Sequence, residues 1–276
     1  MIFWKYHGLG NDFVVVEDFE GTLPKDASFV RRVCDRRIGV GADGILYIGK
    51  GDGADASMRV LNSDGSEAEM CGNGIRCVAK HLYEFDLVKK EMMSISTSAG
   101  RKDIVCAVSD GKVKAVTVEM GGAVLDCARI PMRCEGTFID REITIQNKRV
   151  RGTAVSMGNP HFVTFRAFSE DEIKHLGPQI EGDSAFPKRT NVEFATVKEN
   201  KILVKVHERG AGWTMACGTG ACATVVAAVV NKLVPAEKEI EVRLPGGSLW
   251  IKAKEDLSSV TMRGPAERVF KGELEE

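Results

Sequence analysis

The pattern of apolar and polar positions predicts two helices with different surroundings. Apolar residues follow Gly74 at a helical spacing, namely Ile75, Val78, Ala79, Leu82 and Tyr83. This spacing is typical of a helix with one buried face. Residues 221–230 are apolar almost throughout, which predicts a second helix that is buried on every side. A β-rich shell around that helix would provide the burial.

Most of the remaining pattern predicts short strands separated by polar turns. Strands are expected at 13–16, 45–48, 58–61, 142–146, 149–156, 161–165, 191–197, 202–206 and 249–251, with further strands between 92 and 120. A shorter helix is predicted at 28–37 with Ser28 as its N-cap. The charged residues 271–276 are expected to form a solvated end. The chain is therefore predicted to be of the α/β (α+β) class.

A cysteine stands directly before a Gly-x-Gly turn at the start of each long helix. The two copies are Cys71-Gly72-Asn73-Gly74 and Cys217-Gly218-Thr219-Gly220. A cysteine at a helix N-terminus is a candidate reactive thiol, because the unpaired amides and the helix dipole both favour the thiolate. Two such cysteines in matched settings indicate paired chemistry on one small molecule.

Other polar residues repeat at nearly the same offset as the cysteines, which lie 146 positions apart. The repeated pairs are Asn11 with Asn159 and Asp43 with Asn191, both 148 apart, and Asn62 with Glu208, each nine residues before its cysteine. This regularity predicts two homologous halves related by a pseudo-two-fold axis. Ligands are then expected where equivalent loops of the halves meet.

Charge and length limit the classes of function that the chain can serve. The 276 residues include 38 basic and 39 acidic side chains, so the formal charge of −1 argues against nucleic-acid or polybasic membrane binding. The N-terminus lacks the apolar core of a signal peptide. The longest apolar run is far shorter than the ~20 residues of a membrane span. These features predict a cytoplasmic protein that has no membrane partner.

The other six cysteines are interpreted as packing residues, because thiols stay reduced in the cytoplasm. Those expected to fill apolar sites are Cys34, Cys106, Cys127 and Cys134, with Cys77 and Cys222 packing on helix faces. No Cys-x-x-Cys pair occurs, so no structural zinc site is predicted. The glycine-rich segment 39–44 matches no P-loop and is interpreted as a turn rather than a nucleotide site.

Two opposed thiols suit inversion at a carbon acid. One thiolate removes a proton from one face of the carbon while the opposite thiol delivers a proton to the other face. Amides at the two helix N-termini can hold the α-carboxylate and stabilise the developing carbanion. His161 and Glu208 lie in the duplicated loops, so we interpret them as site residues rather than as structural or surface groups. Arg209 can clamp a carboxylate.

These residues give the sequence a resemblance to the diaminopimelate epimerase family. The matching stretches are residues 5–13, 62–67, 70–77, 157–161, 190–192, 208–212 and 216–222. They keep the family's order and extend over most of the chain. The resemblance implies an epimerase without pyridoxal phosphate or metal. It would interconvert LL- and meso-2,6-diaminopimelate on the route to lysine and peptidoglycan.

The resemblance also implies a role for individual residues. Cys71 and Cys217 would be the base and the acid, assisted by His161 and Glu208. Backbone groups are implied to hold the reacting carboxylate at Gly72, Asn73, Gly218 and Thr219. Further substrate contacts are implied at Asn11, Asn62, Asn159, Asn191 and Arg209. No cofactor is implied, and the partners would be an amino acid substrate and a second copy of the chain in a homodimer.

The family fold implies two pseudo-symmetric domains, each a barrel-like, mostly antiparallel sheet around a central helix. The expected domains are residues 1–117 with 264–276, which carry Cys71, and residues 118–263, which carry Cys217. The chain departs from the family at Gly44, where glutamine is frequent, and at Trp213, where glutamate is common. Trp213 is interpreted as loop packing, and both departures bear on substrate choice.

Two rival interpretations stay open at the level of sequence. One is a related cofactor-independent racemase acting on another amino acid, such as proline or histidine. Arg209 with Asn62 and Asn191 favours a substrate that has a second polar end, which argues against proline. The other is a thiol redox or ligand-binding protein that uses the two cysteines as a switch. That interpretation does not explain the duplicated carboxylate-binding turns.

Overall fold

A computed structural model describes residues 1–199 and 201–275 of the chain. The strands are β1 (Ile2–Gly8), β2 (Asn11–Glu17), β3 (Gly44–Gly49), β4 (Ala56–Asn62), β5 (Glu67–Ala68), β6 (Met92–Thr97), β7 (Gly100–Ser109), β8 (Lys112–Gly121), β9 (Arg141–Ile145), β10 (Lys148–Ser156), β11 (Pro160–Thr164), β12 (Asn191–Lys198), β13 (Lys201–Glu208), β14 (Gly212–Thr214), β15 (Ile240–Leu244), β16 (Gly247–Ala253), β17 (Val260–Gly264) and β18 (Glu267–Glu273). The helices are α1 (Ala27–Cys34), α2 (Gly72–Glu84), α3 (Glu170–Glu181) and α4 (Gly218–Val230).

The chain divides into two compact units. The first consists of Met1–Glu119 and Arg263–Glu276, and the second of Met120–Met262. In the first unit β1 pairs antiparallel with both β2 and β18, and β2 pairs parallel with β3. Strand β3 pairs antiparallel with β4, and β4 pairs parallel with β6. Strand β7 pairs antiparallel with both β6 and β8. Helix α2 contacts β1, β2, β3, β4 and β7 of this sheet.

The second unit repeats this plan. Strand β10 pairs antiparallel with β9 and β11, and β11 pairs parallel with β12. Strand β13 pairs antiparallel with β12 and β14 and parallel with β15, which forms a hairpin with β16. Helix α4 contacts β10, β11, β12, β13, β15 and β16. Each unit is therefore a mostly antiparallel sheet around a central helix, and the predicted fold class is confirmed.

Helix α4 is buried on every side as predicted, but the prediction of a single buried face on α2 is wrong, because all residues from Gly72 to Leu82 are buried. The side chains of α4 from Ala221 to Ala228 are buried, and all of them are apolar except Thr224. Helix α2 also buries polar side chains, including Arg76 and His81, which are fully inaccessible to solvent. Burying charged or polar groups requires hydrogen-bond partners. The first helix is therefore held by specific polar contacts as well as by apolar packing.

The predicted start of helix α1 is wrong. The N-cap is Asp26, whose carboxylate accepts a hydrogen bond from the amide of Phe29 at 2.9 Å. Ser28 lies inside the helix and donates its hydroxyl to the same carboxylate. Asp and Ser are about equally favourable as N-caps, so residue type does not decide between them. The helix begins directly after Asp26, the earlier of the two. The helix ends at Cys34 because the backbone of Asp35 is extended.

The interpretation of Cys127 and Cys134 as independent apolar fillers is also wrong. Turns over 127–132 bring the two Cα atoms to 5.7 Å, within the range of a disulfide, and the two residues are bonded. Cys127 still belongs to a buried apolar cluster of the second unit. A spacing of seven residues predicts no such contact, because only the fold of the intervening turn creates it.

Several elements lie outside the predicted set, among them the strands β5, β14, β15 and β17. Strand β1 and helix α3 were not predicted, although Ser169 and Glu172 form a capping box at the start of α3. The predicted solvated end is partly a strand, because 271–273 belong to β18, whose residues are nevertheless largely exposed. Glu276 lies outside the described residues. No described helix combines the length and apolar character needed to cross a membrane.

Candidate active site

Cys71 is the N-cap of helix α2. Its backbone is extended, with φ −134° and ψ 114°, and its Sγ accepts a hydrogen bond from the amide of Gly74 at 3.3 Å. A β-carbon added at Gly74 would lie 2.9 Å from a methyl carbon of Leu46 and 3.4 Å from the Cβ of Cys71. Glycine here lets the first turn of the helix approach the sheet closely. The thiol therefore lies among the backbone amides of the helix start.

Asn11 lies beside this thiol. Its Oδ1 is 3.9 Å from the Sγ of Cys71 and accepts a hydrogen bond from Nδ2 of Asn73 at 3.0 Å. Its Nδ2 donates to Oδ2 of Asp43 at 2.7 Å. The structure thus brings together three predicted site residues of the first unit, and it adds Asp43 to them.

The remaining predicted residues of the first unit occupy the helix start and a nearby strand end. Gly72 and Asn73 are buried in the first turn of α2, and the carbonyl of Gly72 accepts from Arg76 Nη1 at 2.8 Å. Asn62 ends strand β4 and is exposed, with its Nδ2 donating to Ser66 Oγ at 3.0 Å. No described contact joins Asn62 to Cys71.

Cys217 occupies the same position at helix α4. It is the N-cap, with φ −122° and ψ 113°, and its Sγ accepts from the amide of Gly220 at 3.4 Å. The hydroxyl of Thr219 is 3.6 Å from the same sulfur. Cys217 is only 5% exposed, whereas Cys71 is half-buried. The two thiols therefore share their capping geometry but differ in burial.

Burial raises the pKa of the Cys217 thiol well above its usual range, and the nearby carboxylates of Glu208 and Glu193 raise it further. Hydrogen bonds from Thr219 and Gly220 act in the opposite direction. Glu208 ends strand β13 and accepts a hydrogen bond from the hydroxyl of Thr214. The protonated thiol is therefore favoured at Cys217, and Glu208 is close enough to influence its charge.

His161 is fully buried and bonded through both ring nitrogens. Its Nδ1 is 2.7 Å from Oε1 of Glu193, and its Nε2 is 2.9 Å from Oδ1 of Asn159. Asn159 in turn donates Nδ2 to the hydroxyl of Thr219 at 3.3 Å. Hydrogen bonds therefore connect the buried carboxyl of Glu193 through three side chains to Cys217. Three predicted site residues, His161, Asn159 and Thr219, belong to this series.

Asn191 and Arg209 form a second group in this unit. Asn191 Oδ1 accepts from the amide of Arg209 at 3.0 Å, and its Nδ2 donates to the carbonyl of Pro160 at 2.9 Å. The adjoining amide of Gly210 donates to Oε1 of Glu181 at 2.7 Å. These contacts anchor the turn after β13 and hold the backbone next to Glu208. The Arg209 side chain is exposed and donates Nη1 to the carbonyl of Lys188 at 3.3 Å.

Sequence reasoning missed two carboxylates of these networks. The sequence identifies Asp43 only as the repeat partner of Asn191, although its place in the duplication also indicates a position in the site. Glu193 lies in the middle of strand β12 and is fully buried. A charged residue within an apolar strand is a signal of a buried polar site. Across residues 1–199 and 201–275, no three His, Cys, Asp or Glu side chains are grouped as metal ligands would be.

The sequence matches the model of one protein family over most of its length. The model is described as "Diaminopimelate epimerase" and matches residues 3–125 and 153–269. A diaminopimelate epimerase of Desulfitobacterium hafniense is 44% identical over 276 residues, covering 98% of this chain and 96% of the relative. The enzyme of the same name from Desulforudis audaxviator is 48% identical over 278 residues, covering 99% and 98%.

Solved structures of more distant proteins share the fold. A probable proline racemase from Agrobacterium radiobacter superposes with a TM-score of 0.72 at 13% identity, covering 99% of this chain and 92% of the other. A hydroxyproline epimerase from Agrobacterium vitis has the same TM-score at 14% identity, covering 99% and 90%. At such low identity the likeness concerns the fold alone.

Proposed function

The chain belongs to the diaminopimelate epimerase family, and we propose that it interconverts LL- and meso-2,6-diaminopimelate by a two-thiol mechanism. It is an amino acid isomerase. The observation that carries the mechanism is that each unit places a cysteine at the N-cap of its central helix. The substrate is a free amino acid of the lysine and peptidoglycan pathways.

Epimerisation moves one proton off the α-carbon and another onto its opposite face. In one direction the thiolate of one cysteine, Cys71 or Cys217, takes the α-proton and becomes a thiol. The other cysteine gives its S–H proton to the carbanion and becomes a thiolate. The C–H bond that breaks is replaced by one of inverted configuration, and the sum of protons on the two sulfurs is unchanged. The reverse reaction exchanges the two roles.

The carbanion needs stabilisation because the α-proton of an amino acid is weakly acidic. Backbone amides in the first turns of α2 and α4 are suited to hold the α-carboxylate, where negative charge develops. We assign this role to the backbone of Gly72, Asn73, Gly218 and Thr219. The positive end of each helix dipole adds to the effect. No cofactor is needed to accept the electron pair in this scheme.

Other side chains support the thiols and hold the rest of the substrate. Glu208 and His161 are assigned to assist proton transfer, since the raised pKa of Cys217 calls for a neighbouring group that can take or return a proton. The residues assigned to the substrate, including its distal amino acid end, are Asn11, Asn62, Asn159, Asn191 and Arg209. Both polar groups of the Asn191 side chain are already hydrogen-bonded to backbone groups. We therefore assign it an indirect role, in which it positions the backbone of Arg209.

Exchange of the α-hydrogen with solvent tests the proposed reaction directly. With LL-diaminopimelate in D₂O, the reduced protein is expected to produce the meso isomer with deuterium at one α-carbon, as measured by NMR and mass spectrometry. Proline under the same conditions is expected to show no exchange. Folded, reduced protein that leaves diaminopimelate unexchanged would refute the function, and exchange of proline instead would favour a racemase of another amino acid.

Single substitutions distinguish an enzyme from a thiol-dependent binding protein. Cys71→Ala and Cys217→Ala are each expected to abolish epimerisation, because each removes one of two required proton carriers. Both variants are expected to retain a folded circular dichroism spectrum. If either variant epimerises at the wild-type rate, the two-thiol mechanism is wrong.

We also propose, from the resemblance, that the protein is a cytoplasmic homodimer that binds no nucleic acid. The near-zero formal charge supports the last point. Sedimentation velocity at micromolar concentration is expected to give the mass of two 30.0 kDa chains. A single species of monomer mass would contradict the dimer without affecting the proposed reaction.

A further inference from the structure

Four side chains of the first unit form a continuous series of hydrogen bonds beside Cys71. Arg76 Nη2 donates to Oδ1 of Asn73 at 3.0 Å, and Asn73 Nδ2 donates to Oδ1 of Asn11 at 3.0 Å. Asn11 Nδ2 then donates to Oδ2 of Asp43 at 2.7 Å. We call Arg76, Asn73, Asn11 and Asp43 the amide series. Every donor in it points from the arginine toward the aspartate.

The two ends of the amide series determine its direction. A guanidinium can only donate hydrogen bonds, and an ionised carboxylate can only accept them. An amide side chain can in principle be turned by 180°, but turning Asn73 would aim its NH₂ group at Arg76, and turning Asn11 would aim its oxygen at Asp43. Both changes replace a charge-assisted hydrogen bond with a repulsive contact. The group of Asn11 that faces Cys71 is therefore the carbonyl oxygen.

An oxygen beside a sulfur favours the protonated thiol. The 3.9 Å contact allows the S–H group of Cys71 to donate to Oδ1 of Asn11, whereas a thiolate would meet the negative end of the amide dipole. A hydrogen bond made only by the neutral form of a group disfavours its ionisation. The amide of Gly74 acts in the opposite direction by donating to the same sulfur.

We propose that the amide series holds the proton on Cys71 in the substrate-free protein, with Asp43 and Arg76 as positioning residues that act through Asn11. The statement rests on the proposed function for its catalytic meaning, which is that Cys71 must first lose this proton before it can act as the base. The series would also limit premature ionisation of a half-buried, accessible thiol.

The amide series contributes one positive and one negative side chain near Cys71, and further charged side chains pair with its acidic end. Arg76 lies on the same helix, and its positive charge favours the thiolate. Asp43, before strand β3, favours the thiol, but it is paired with Arg36, whose Nη2 is 2.8 Å from its Oδ1. Arg36 also contacts Asp12 of strand β2 at 2.7 Å. Lys5 also pairs with Asp12. We assign the protonation of Cys71 to the orientation of the Asn11 amide, the group whose oxygen lies 3.9 Å from the sulfur.

Among the described residues of the second unit, the group beside Cys217 is a hydroxyl rather than an amide oxygen of fixed orientation. Asn159, the repeat partner of Asn11, donates Nδ2 to the hydroxyl of Thr219, and that hydroxyl is the group beside Cys217. A hydroxyl can turn to donate to a thiolate or to accept from a thiol. Asn191, the repeat partner of Asp43, bonds to backbone groups rather than to Asn159. The proposed control therefore belongs to Cys71 alone.

The rate at which iodoacetamide alkylates Cys71 tests the proposal, because only the thiolate reacts. Peptide mass spectrometry follows the labelling of Cys71 between pH 6 and pH 9 in the substrate-free protein. Asn11→Leu removes the acceptor, and Asp43→Leu removes the partner that orients it. Each is expected to raise the rate at pH 7 by about three- to tenfold, as expected for the loss of one hydrogen bond to the thiol.

Asp43→Asn is the matched control, since it removes the charge but keeps a carbonyl oxygen that can accept from Asn11. Its rate is expected to stay within about twofold of wild type, because Arg76 still orients the other end of the amide series. The double variant Asn11→Leu/Asp43→Leu is expected to react no faster than Asn11→Leu. Labelling of Cys217 in the same samples and a thermal melt check for general loosening of the fold.

Two outcomes would overturn the proposal. If Asp43→Asn accelerates labelling as much as Asp43→Leu, then Asp43 acts through its charge and not through the orientation of Asn11. If Asn11→Leu leaves the rate unchanged, no acceptor controls the thiol. Should Asp43→Leu fail to fold, the other two single variants still decide the question. Alkylation requires no turnover, so these results stay separate from those of the deuterium-exchange test.

Discussion

His161 illustrates at the residue scale how a buried side chain depends on one partner. It is fully inaccessible, and Glu193, its partner at Nδ1, is fully inaccessible as well. Burial raises the pKa of Glu193, while the adjacent imidazole lowers it. The pKa of Glu193 therefore depends on both its burial and its contact with the imidazole. Neither side chain can be removed without leaving a buried polar group of the other.

Substitution of Glu193 tests this dependence. Glu193→Leu is expected to destabilise the protein by about 1–3 kcal/mol, because Nδ1 of His161 loses its buried partner. The turnover number for diaminopimelate is expected to fall as well, since His161 is no longer oriented. Glu193→Gln retains a hydrogen-bonding group and is expected to recover most of the stability. Urea unfolding and steady-state kinetics provide the two measurements, and a Leu variant as stable as wild type would contradict the argument.

Helices α2 and α4 are the elements on which the proposed mechanism depends, because each has a cysteine as its N-cap and backbone amides in its first turn that donate to no carbonyl of the helix. Glycine at the third position after each cysteine allows this turn to approach its neighbours. A β-carbon at Gly220 would lie 2.8 Å from Oε1 of Glu193 and 3.3 Å from the Sγ of Cys217. At Gly74 the nearest group is instead the end of the Leu46 side chain. The two helix starts have similar backbone geometry. An added β-carbon would meet a flexible leucine side chain at Gly74 but a hydrogen-bonded carboxylate at Gly220.

Alanine at each glycine is expected to show this difference. Gly220→Ala pushes against the carboxylate that holds His161 and against the thiol itself, so we expect a loss of about 10- to 100-fold in kcat/KM. Gly74→Ala is expected to cost less, because a leucine methyl group can move more easily than a bonded carboxylate. Parallel kinetic measurements on both variants provide the comparison. Equal losses in the two variants would show that backbone shifts, rather than these neighbours, determine the effect.

The molecule as a whole contains two histidines whose pKa is lowered by burial, His81 and His207. Carboxylates oppose the shift in both, Glu17 at the first and Glu181 at the second. In the unfolded chain both imidazoles would take a proton near pH 6.5. Below that pH the unfolded state binds more protons than the folded state, so acidification favours unfolding.

Thermal stability is therefore expected to fall as the pH decreases from about 7 to 5, and differential scanning calorimetry would measure it. His81→Gln is expected to reduce the slope, leaving the part that belongs to His207. A separate loss is expected below about pH 4, where Asp12 takes up a proton in the unfolded chain but remains ionised in the folded protein until about pH 2. Burial alone would raise the pKa of Asp12, but hydrogen bonds from Arg36 and Lys5 bring it to about 2. If the dependence of thermal stability on pH between 7 and 5 is unchanged in His81→Gln, then His81 does not contribute to it.

The sequence by itself determined those features that depend on neighbours along the chain. The apolar spacing after Gly74 and the apolar run of α4 report burial, and these helices form where they were predicted. The two N-cap cysteines follow from a local pattern as well. Helix α3 carries an equally local pattern, the capping box of Ser169 and Glu172, so the sequence contains the information that locates its start.

Only the tertiary structure decided which polar groups meet. Asn11 reaches Asp43, and His161 reaches Glu193, and each pair is 32 residues apart. In both cases a parallel strand pair, β2 with β3 or β11 with β12, carries one partner to the other. Strand pairing depends on the burial of the whole sheet, and no local pattern encodes it. The disulfide of Cys127 and the amide series beside Cys71 were for this reason visible only in the folded chain.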